Sequence, residues 1–221
     1  MNYTERLEEV EIFRRFPDFI PFIGEKYADV PAKVLLIWES YYDTTGATTK
    51  YDKNIEGWYK SDKQEVIDSC FCKMFKGEGR ENYDNHWNFA SKMHAKGIDR
   101  KSATFGNVEK LLPFQYCAGY NYYLRPATGA KSIKDTVRDN EIANNTLQEI
   151  IKILQPDFVL FFSKKACNSF QQKCENVEFK AFVHPACAWW NRKYGKTKQT
   201  GKERFEKFCE RNKLSLNHLE H

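Results

Sequence analysis

Two short apolar runs constrain the fold of this 221-residue chain more than any other feature. The first runs from Lys33 to Trp38 and the second from Phe158 to Phe162. Each run is continuous rather than alternating and is bounded by turn-forming or polar residues, which is typical of a strand buried on both faces. Such strands belong to parallel sheets covered by helices. The chain is therefore predicted to have a mainly parallel sheet at its core.

The intervening segments supply the other elements of the predicted fold. Two further strands are expected, at residues 115–120 and 178–183. Helical patterns occupy residues 4–15, 61–96, 105–112, 136–154, 163–172 and 201–212. Because helical segments alternate with strands, crossover connections are available and the strands can run parallel. The sequence predicts an α/β fold with a central four-stranded, mainly parallel sheet, in a single domain over residues 1–218.

Composition and the chain ends limit the class of protein. Hydrophobic residues make up 41% and charged residues 29%, which is a globular balance. No apolar run reaches the roughly 18 residues of a membrane span, and the polar start of the chain does not resemble a signal peptide. Seven cysteines, an odd number, predict reduced thiols and a cytoplasmic location. Residues 219–221 resemble the start of a purification tag. A net charge of +5 permits an anionic partner without requiring one.

Polar side chains follow each predicted strand at its carboxyl end. Glu39 follows the first strand, Asn121 the second, Ser163 the third and His184 the fourth. Ligands of open parallel sheets bind beyond these strand ends. The four residues are therefore predicted to meet at one rim, where they are suited to hold a planar polar ligand with a water beside it.

Each of these side chains also has a structural interpretation. Glu39 has the alternative roles of capping a turn or pairing with Arg125, because carboxylates are seldom buried unpaired. Asn121 is a common turn residue. His184, taken alone, fits a hydrogen-bonded core histidine. The joint placement at strand ends is what favours a site.

Four segments, in order, resemble motifs of the uracil-DNA glycosylase superfamily, especially its uncharacterised bacterial branch. Residues 33–42 are similar to the first motif, and Asn121 followed by Arg125-Pro126 is similar to the middle strand. Residues 154–166 resemble the third strand with its following helix, and His184-Pro185-Ala186 resembles the second signature motif. The resemblance implies a three-layer α/β/α sandwich around the sheet. It covers about residues 30–195, and residues 43–100 form an insert without a family counterpart.

The resemblance also implies an activity, which is hydrolysis of the N-glycosidic bond of a base flipped out of DNA, as in DNA repair. It assigns water activation to Glu39 and stabilisation of the developing oxyanion to His184. It assigns contacts with the base to Asn121, Tyr42 and Ser40. It assigns contacts with DNA to three groups of residues. These are an intercalating loop with Trp189 and Trp190, the basic residues Arg192 and Lys193 that follow it, and a helix start with Ser163 and Lys164.

The first motif departs from the family pattern at three positions. Trp38 stands in place of a glycine, and its bulk is expected to fill space meant for the substrate backbone. Ser40 stands where the best-known branch has its water-activating aspartate, and Tyr41 replaces a proline. These departures favour a second hypothesis, a non-catalytic nucleic-acid or nucleotide binder that keeps the pocket. A third is a small-molecule hydrolase that never contacts DNA.

Other motifs do not support a cofactor or a metal. Gly195-Lys196-Thr197 lacks the earlier glycine and the leading strand of a phosphate-binding loop. Cys70 and Cys72 are separated by one residue and do not match an iron–sulfur ligand pattern, and His86 and His94 are a poor metal pair. Cys187 near His184 is a weak nucleophile signal, and a small buried hydrophobe is favoured there. No metal, cluster or other cofactor is predicted.

Overall fold

The computed structural model describes residues 2–43, 51, 53–60, 103–128, 132–171 and 174–214. Its centre is a five-stranded sheet with the order β1-β3-β2-β4-β5. The strands are β1 (Phe22–Ile23), β2 (Val34–Asp43), β3 (Cys117–Thr128), β4 (Phe158–Phe161) and β5 (Glu178–Ala181). The fold is thus mixed α/β with a mostly parallel sheet, as predicted.

The sheet has one strand more than the predicted four. The extra strand is β1, which pairs antiparallel with β3 at one edge, whereas β2 runs parallel to both β3 and β4, and β4 runs parallel to β5. With only two residues, Phe22 and Ile23, β1 is too short to show a hydrophobic period in the sequence.

The two central strands are longer than predicted. We expected them to end at Trp38 and Tyr120, but β2 continues to Asp43 and β3 to Thr128. The neighbouring β4 pairs with β2 only from Val34 to Ile37. Beyond Ile37, β2 and β3 therefore extend together past the ends of β4 and β5. This leaves a notch above the two shorter strands.

The α-helices differ from the predicted ones mainly in length. The predicted helix 4–15 is two short helices, and residues 55–60 form a helix that the sequence did not predict. The helices are α1 (Tyr3–Glu8), α2 (Glu11–Arg15), α3 (Ile55–Lys60), α4 (Ala103–Glu109), α5 (Val137–Leu154), α6 (Lys164–Ser169) and α7 (Gly201–Arg211). Helix α5 begins at a capping box, in which Thr136 and Asp139 satisfy each other's backbone N–H groups.

Aromatic side chains fill the core on both faces of the sheet. Trp38 packs against Phe105, Phe114 and Phe162, with ring centroids 5.1, 6.1 and 5.3 Å away. On the opposite face, Phe13 packs edge-on against Tyr120, the register neighbour of Ile37. Because successive residues of a strand face opposite sides, Trp38 and its neighbour Glu39 also lie on different faces.

Parts of the predicted organisation lie outside the described residues. These are most of the 43–100 insert, including Cys70, Cys72, His86, Trp87 and His94, and the end segment 219–221. Trp58 belongs to the insert and is described, and it is fully buried against Phe16 and Tyr59. Among the described helices, none is both long and apolar enough to cross a membrane.

Candidate functional site

A cavity of about 640 Å³ lies beyond the carboxyl ends of β4 and β5. This is where the sequence places the site. Its walls come from the segments that directly follow β4 and β5, from β2 where it projects past β4, and from α6. The described lining residues are Glu39, Ser132, Phe162, Ser163, Lys164, Lys165, Asn168, Ala181, Phe182, Val183, His184, Cys187 and Tyr194.

Glu39 reaches the cavity because β2 continues past the end of β4. Its carboxylate is held at both oxygens: Oε1 accepts hydrogen bonds from Ser132 Oγ at 2.5 Å and from the backbone N–H of Ile133 at 3.1 Å. Oε2 accepts one from Ser163 Oγ at 2.8 Å. The carboxylate is therefore fixed in place while its side chain stays partly exposed.

Arg125 is not the partner of Glu39. It forms a buried two-point ion pair with Asp139, from Nε to Oδ1 at 2.9 Å and from Nη2 to Oδ2 at 2.8 Å. Tyr59 also donates to Asp139 Oδ1 at 2.9 Å. The alternative in which Glu39 serves mainly to neutralise Arg125 is thus excluded by geometry.

His184 follows β5 and lines the same cavity as Glu39. Its Nδ1 accepts a hydrogen bond from the backbone N–H of Ala186 at 3.2 Å. A backbone N–H only donates, so the proton of the neutral imidazole lies on Nε2. Burial lowers the pKa of His184 below its ordinary value of 6.5, and the nearby Glu39 carboxylate offsets part of that shift. At neutral pH the ring is therefore an uncharged hydrogen-bond donor.

The structure does not place Asn121 among the described lining residues of the cavity. Asn121 is buried inside β3, seven residues before that strand's last position, and its register partner is Trp38. Paired residues of parallel strands share a face, so Asn121 lies on the face opposite Glu39. The prediction that Asn121 joins Glu39 and His184 assumed a strand end at Tyr120, and the longer β3 removes that assumption.

Ser40 and Tyr42 also belong to the body of β2. Ser40 is buried, does not line the cavity, and its Oγ has no hydrogen-bond partner in the described part of the chain. For Tyr42 the structure describes the backbone only, where it pairs with Ala127 after a register shift. Trp38 is almost fully buried and packs behind Phe162, which forms part of the cavity wall.

The two tryptophans after His184 separate in the structure. Trp190 is 1% exposed and packs on Phe162 and Phe205, so its side chain lies in the core rather than at the surface that the predicted DNA contact requires. Trp189 is 53% exposed and lies 5.9 Å from the ring of Tyr194. They occupy one 3-10 turn, Ala188–Trp190, which sends adjacent side chains in different directions.

The basic residues of the predicted DNA contact divide into two places. Arg192 and Lys193 are exposed after the 3-10 turn. Lys164 is exposed at the start of α6 and lines the cavity. Ser163 caps α6, since its Oγ accepts from the backbone N–H of Ala166 at 3.1 Å.

Three lining residues were not found from the sequence. Asn168 brings an amide from α6, Ser132 a hydroxyl from the segment before α5, and Tyr194 a ring from the segment before α7. None of them directly follows a strand, so a search of strand ends misses them. Of the three, only Ser132 lies in a segment whose sequence indicates a site, because residues 132–136 are mostly polar and directly precede the well-capped helix α5.

Comparison with known proteins adds no family. No protein-family model matches the chain, and none of the curated proteins matches it. Within the described ranges, no three His, Cys, Asp or Glu side chains come together as a metal site. What the described lining offers chemically is a fixed carboxylate, a neutral imidazole donor, an amide, three hydroxyls, a thiol and two ammonium groups around one open space.

Proposed function

We propose that the chain hydrolyses the N-glycosidic bond of a nucleobase in DNA, in the manner of the uracil-DNA glycosylase superfamily. The observation that carries the proposal is that Glu39 and His184 line one cavity, with a carboxylate fixed at both oxygens and an imidazole that presents Nε2–H. A reaction that expels an anionic base needs a donor for the departing charge and a carboxylate near the sugar carbon that becomes electron-deficient.

The proposed reaction follows from these two groups. The bond between C1′ and the base nitrogen breaks, and its electron pair leaves with the base. His184 Nε2–H donates a hydrogen bond to the base oxygen where the charge develops. Glu39 orients a water whose oxygen bonds to C1′, and the proton released by that water passes to the carboxylate or to solvent. A neutral imidazole suits this role because it donates without first having to take up a proton.

We propose that Asn168 reads the edge of the base, in place of Asn121. The amide of Asn168 lines the cavity and carries both a donor and an acceptor, the pattern that a base edge requires. Ser132 adds a hydroxyl on the Glu39 side of the cavity, and the ring of Phe162 offers a flat wall. Asn121 lies on the Trp38 face and is not used in this proposal.

DNA is the proposed partner, with Trp189 as the apolar wedge and Arg192, Lys193 and Lys164 on phosphates. The exposure of all four side chains supports this assignment. We also propose the three-layer α/β/α arrangement of that superfamily, which is supported by aromatic packing on both sheet faces. A reducing, cytoplasmic location is supported by five described cysteines that are all free thiols.

The test is excision from uracil-containing oligonucleotides, single-stranded and mismatched, read out by strand cleavage after alkali. Wild type is expected to release the base, and Glu39→Gln and His184→Asn are each expected to slow release at least about a hundredfold. Glu141→Gln, on the exposed side of α5, is the control for loss of a carboxylate. No cleavage by wild type at high enzyme concentration would sink the proposal for this substrate.

A second function is favoured by the engagement of the Glu39 carboxylate. Three hydrogen bonds from Ser132, Ile133 and Ser163 give it a structural role, in which it connects β2 to α6 and to the segment before α5. In that case the cavity binds a nucleotide or DNA without chemistry. Salt-dependent DNA binding without turnover, unchanged in Glu39→Gln, would identify this second function.

A further inference from the structure

A second groove, of about 370 Å³, adjoins the cavity along the edge strand β5. We call it the basic groove. Its described lining residues are Lys180, Ala181, Phe182, Tyr194, Thr197, Gln199, Arg204, Lys207, Phe208 and Arg211. Ala181, Phe182 and Tyr194 belong to both spaces, so the basic groove and the cavity share a wall.

The basic groove carries four cationic side chains and no carboxylate among its described lining residues. Arg204, Lys207 and Arg211 stand at positions i, i+3 and i+7 of α7, which places them on one face of that helix. Lys180 faces them from β5. Lys180, Lys207 and Arg211 are exposed, and none forms an ion pair within the described ranges. The described part of the groove is thus a positively charged surface.

The acidic residues of α7 do not cancel this charge. The carboxylate of Glu203 is turned to the helix start, where Oε2 accepts from the backbone N–H of Thr200 at 2.7 Å. Glu206 and Glu210 are not among the described residues that line the groove. Glu203 still interacts electrostatically with Lys207, so it offsets part of the charge of the groove without cancelling that of the four described cations.

Arg204 is held in place before any ligand binds. Its guanidinium lies 4.1 Å from the centre of the Tyr194 ring and donates from Nη2 to Thr197 Oγ1 at 2.8 Å and to the Tyr194 carbonyl at 3.1 Å. A stacked and hydrogen-bonded guanidinium loses little freedom when it meets a phosphate. Tyr194 therefore contacts the ordered guanidinium of Arg204 and also lines the cavity.

We propose that the basic groove binds the phosphodiester backbone of the nucleic-acid strand whose base enters the cavity, an inference that rests on the proposed function. Four cations lining one groove suit the successive phosphates of a single strand. The adjacent rings of Tyr194 and Trp189 suit stacking against bases, which an acidic peptide lacks. The contacts of the four groove cations are additional to those of Trp189, Arg192, Lys193 and Lys164, and they extend the bound strand along β5.

The test compares two double variants of equal charge in binding to a fluorescein-labelled oligothymidylate of about 15 nucleotides, followed by anisotropy at several salt concentrations. Lys180→Gln/Lys207→Gln removes two cations from the groove. Lys26→Gln/Lys152→Gln removes two exposed lysines near the amino ends of the strands, away from the groove. Polyglutamate of similar length serves as a competitor.

The groove variant is expected to bind at least about tenfold more weakly at low salt, with the control within about threefold of wild type. Each phosphate contact on a single strand contributes about 0.7 to the slope of log affinity against log salt, so the groove variant should lose about 1.4. Equal affinities of the two double variants would overturn the inference. Displacement of the oligonucleotide by polyglutamate as readily as by unlabelled oligothymidylate would also overturn it, in favour of an acidic peptide.

The same proteins separate this inference from the proposed function. If the wild-type protein releases no base but its binding depends on the groove cations, the proposed reaction is contradicted and the inference about the groove is supported. If the wild-type protein releases the base and the two double variants bind equally, the proposed reaction is supported and the inference about the groove is contradicted.

Discussion

Ser163 donates a 2.8 Å hydrogen bond from Oγ to Oε2 of Glu39, while the same Oγ accepts the backbone N–H of Ala166 at 3.1 Å. One hydroxyl thus caps α6 and fixes the carboxylate that lines the cavity. The beginning of α6 and the position of Glu39 are therefore coupled through a single side chain.

Ser163→Ala is expected to affect both stability and the site. Loss of the cap should lower the free energy of unfolding by about 1–2 kcal/mol, measured by urea denaturation. Because Oε2 of Glu39 also loses its donor, base excision should fall beyond what the loss of folded protein explains.

Thr200→Ala is the matched control, because Thr200 caps α7 through the N–H of Glu203 and does not line the cavity. It should lose similar stability and keep its excision rate per folded molecule. Equal excision rates in the two variants would contradict the coupling between Ser163 and Glu39.

The titration of His184 gives a second prediction. Burial lowers its pKa, and Glu39 acts in the opposite direction. The His184 resonance should therefore titrate below pH 6.5 by NMR, and Glu39→Gln should move the pKa further down because it removes a nearby negative charge. His184→Asn identifies the resonance among those of the five histidines. A pKa that rises in Glu39→Gln would contradict the placement of the two groups.

A depressed His184 pKa also makes stability depend on pH. Below about pH 6.5 the unfolded chain binds the proton more readily than the folded one, so stability falls until the pH passes the folded pKa. In His184→Asn this contribution should be absent, and the pH dependence of the urea midpoint between about pH 6.5 and 5 should be shallower than in wild type.

Glu39, His184 and Ser163 could be located from sequence because the segments after the buried strands all reach the same edge of a parallel sheet. Asn121 could not, since the apolar residues that follow it continue β3 and carry the strand past the expected end. Nor does the sequence separate Trp189 from Trp190: which of the two enters the core depends on a 3-10 turn and on packing against Phe205. Tertiary context decides both cases.

The buried pair of Arg125 and Asp139 gives a third prediction. Asp139→Asn leaves the guanidinium without its counter-charge in a site where the two side chains are 3% and 0% exposed. The expected loss is about 3–5 kcal/mol in urea unfolding. Arg138→Gln, one residue before Asp139, breaks the exposed ion pairs with Glu56 and Glu141 and should cost less than about 1 kcal/mol.

The loss of unfolding free energy at acidic pH should also depend on the ion pair of Arg125 and Asp139. Burial acts to raise the pKa of Asp139, but the hydrogen bonds and charge of Arg125 outweigh it, and the pKa lies below its ordinary value. The contribution of the pair is therefore present above about pH 4 and is lost as the pH falls through the folded pKa. Asp139→Asn should lose less unfolding free energy than wild type as the pH falls through that range. An equal loss in the variant and in wild type would contradict a contribution of the ion pair.

The close approach of the chain at Gly24 gives the last prediction. Gly24 follows β1, and its N–H donates to the Cys117 carbonyl at 2.8 Å. A methyl group added there would lie 2.2 Å from the carbonyl oxygen of Phe114 and 2.4 Å from that of Gln115. Both are backbone atoms just before β3, so they cannot move aside without disturbing the start of that strand.

Gly24→Ala is therefore expected to lower the free energy of unfolding by about 1–3 kcal/mol, measured by urea denaturation. Glu25→Ala changes the exposed neighbour in the same turn and should stay within about 0.5 kcal/mol of wild type. Because β1 pairs only with β3, the loss should show in hydrogen exchange at Phe22 and Ile23 before it shows in β4. A Gly24→Ala protein as stable as Glu25→Ala would mean that the edge strand is not held by this contact.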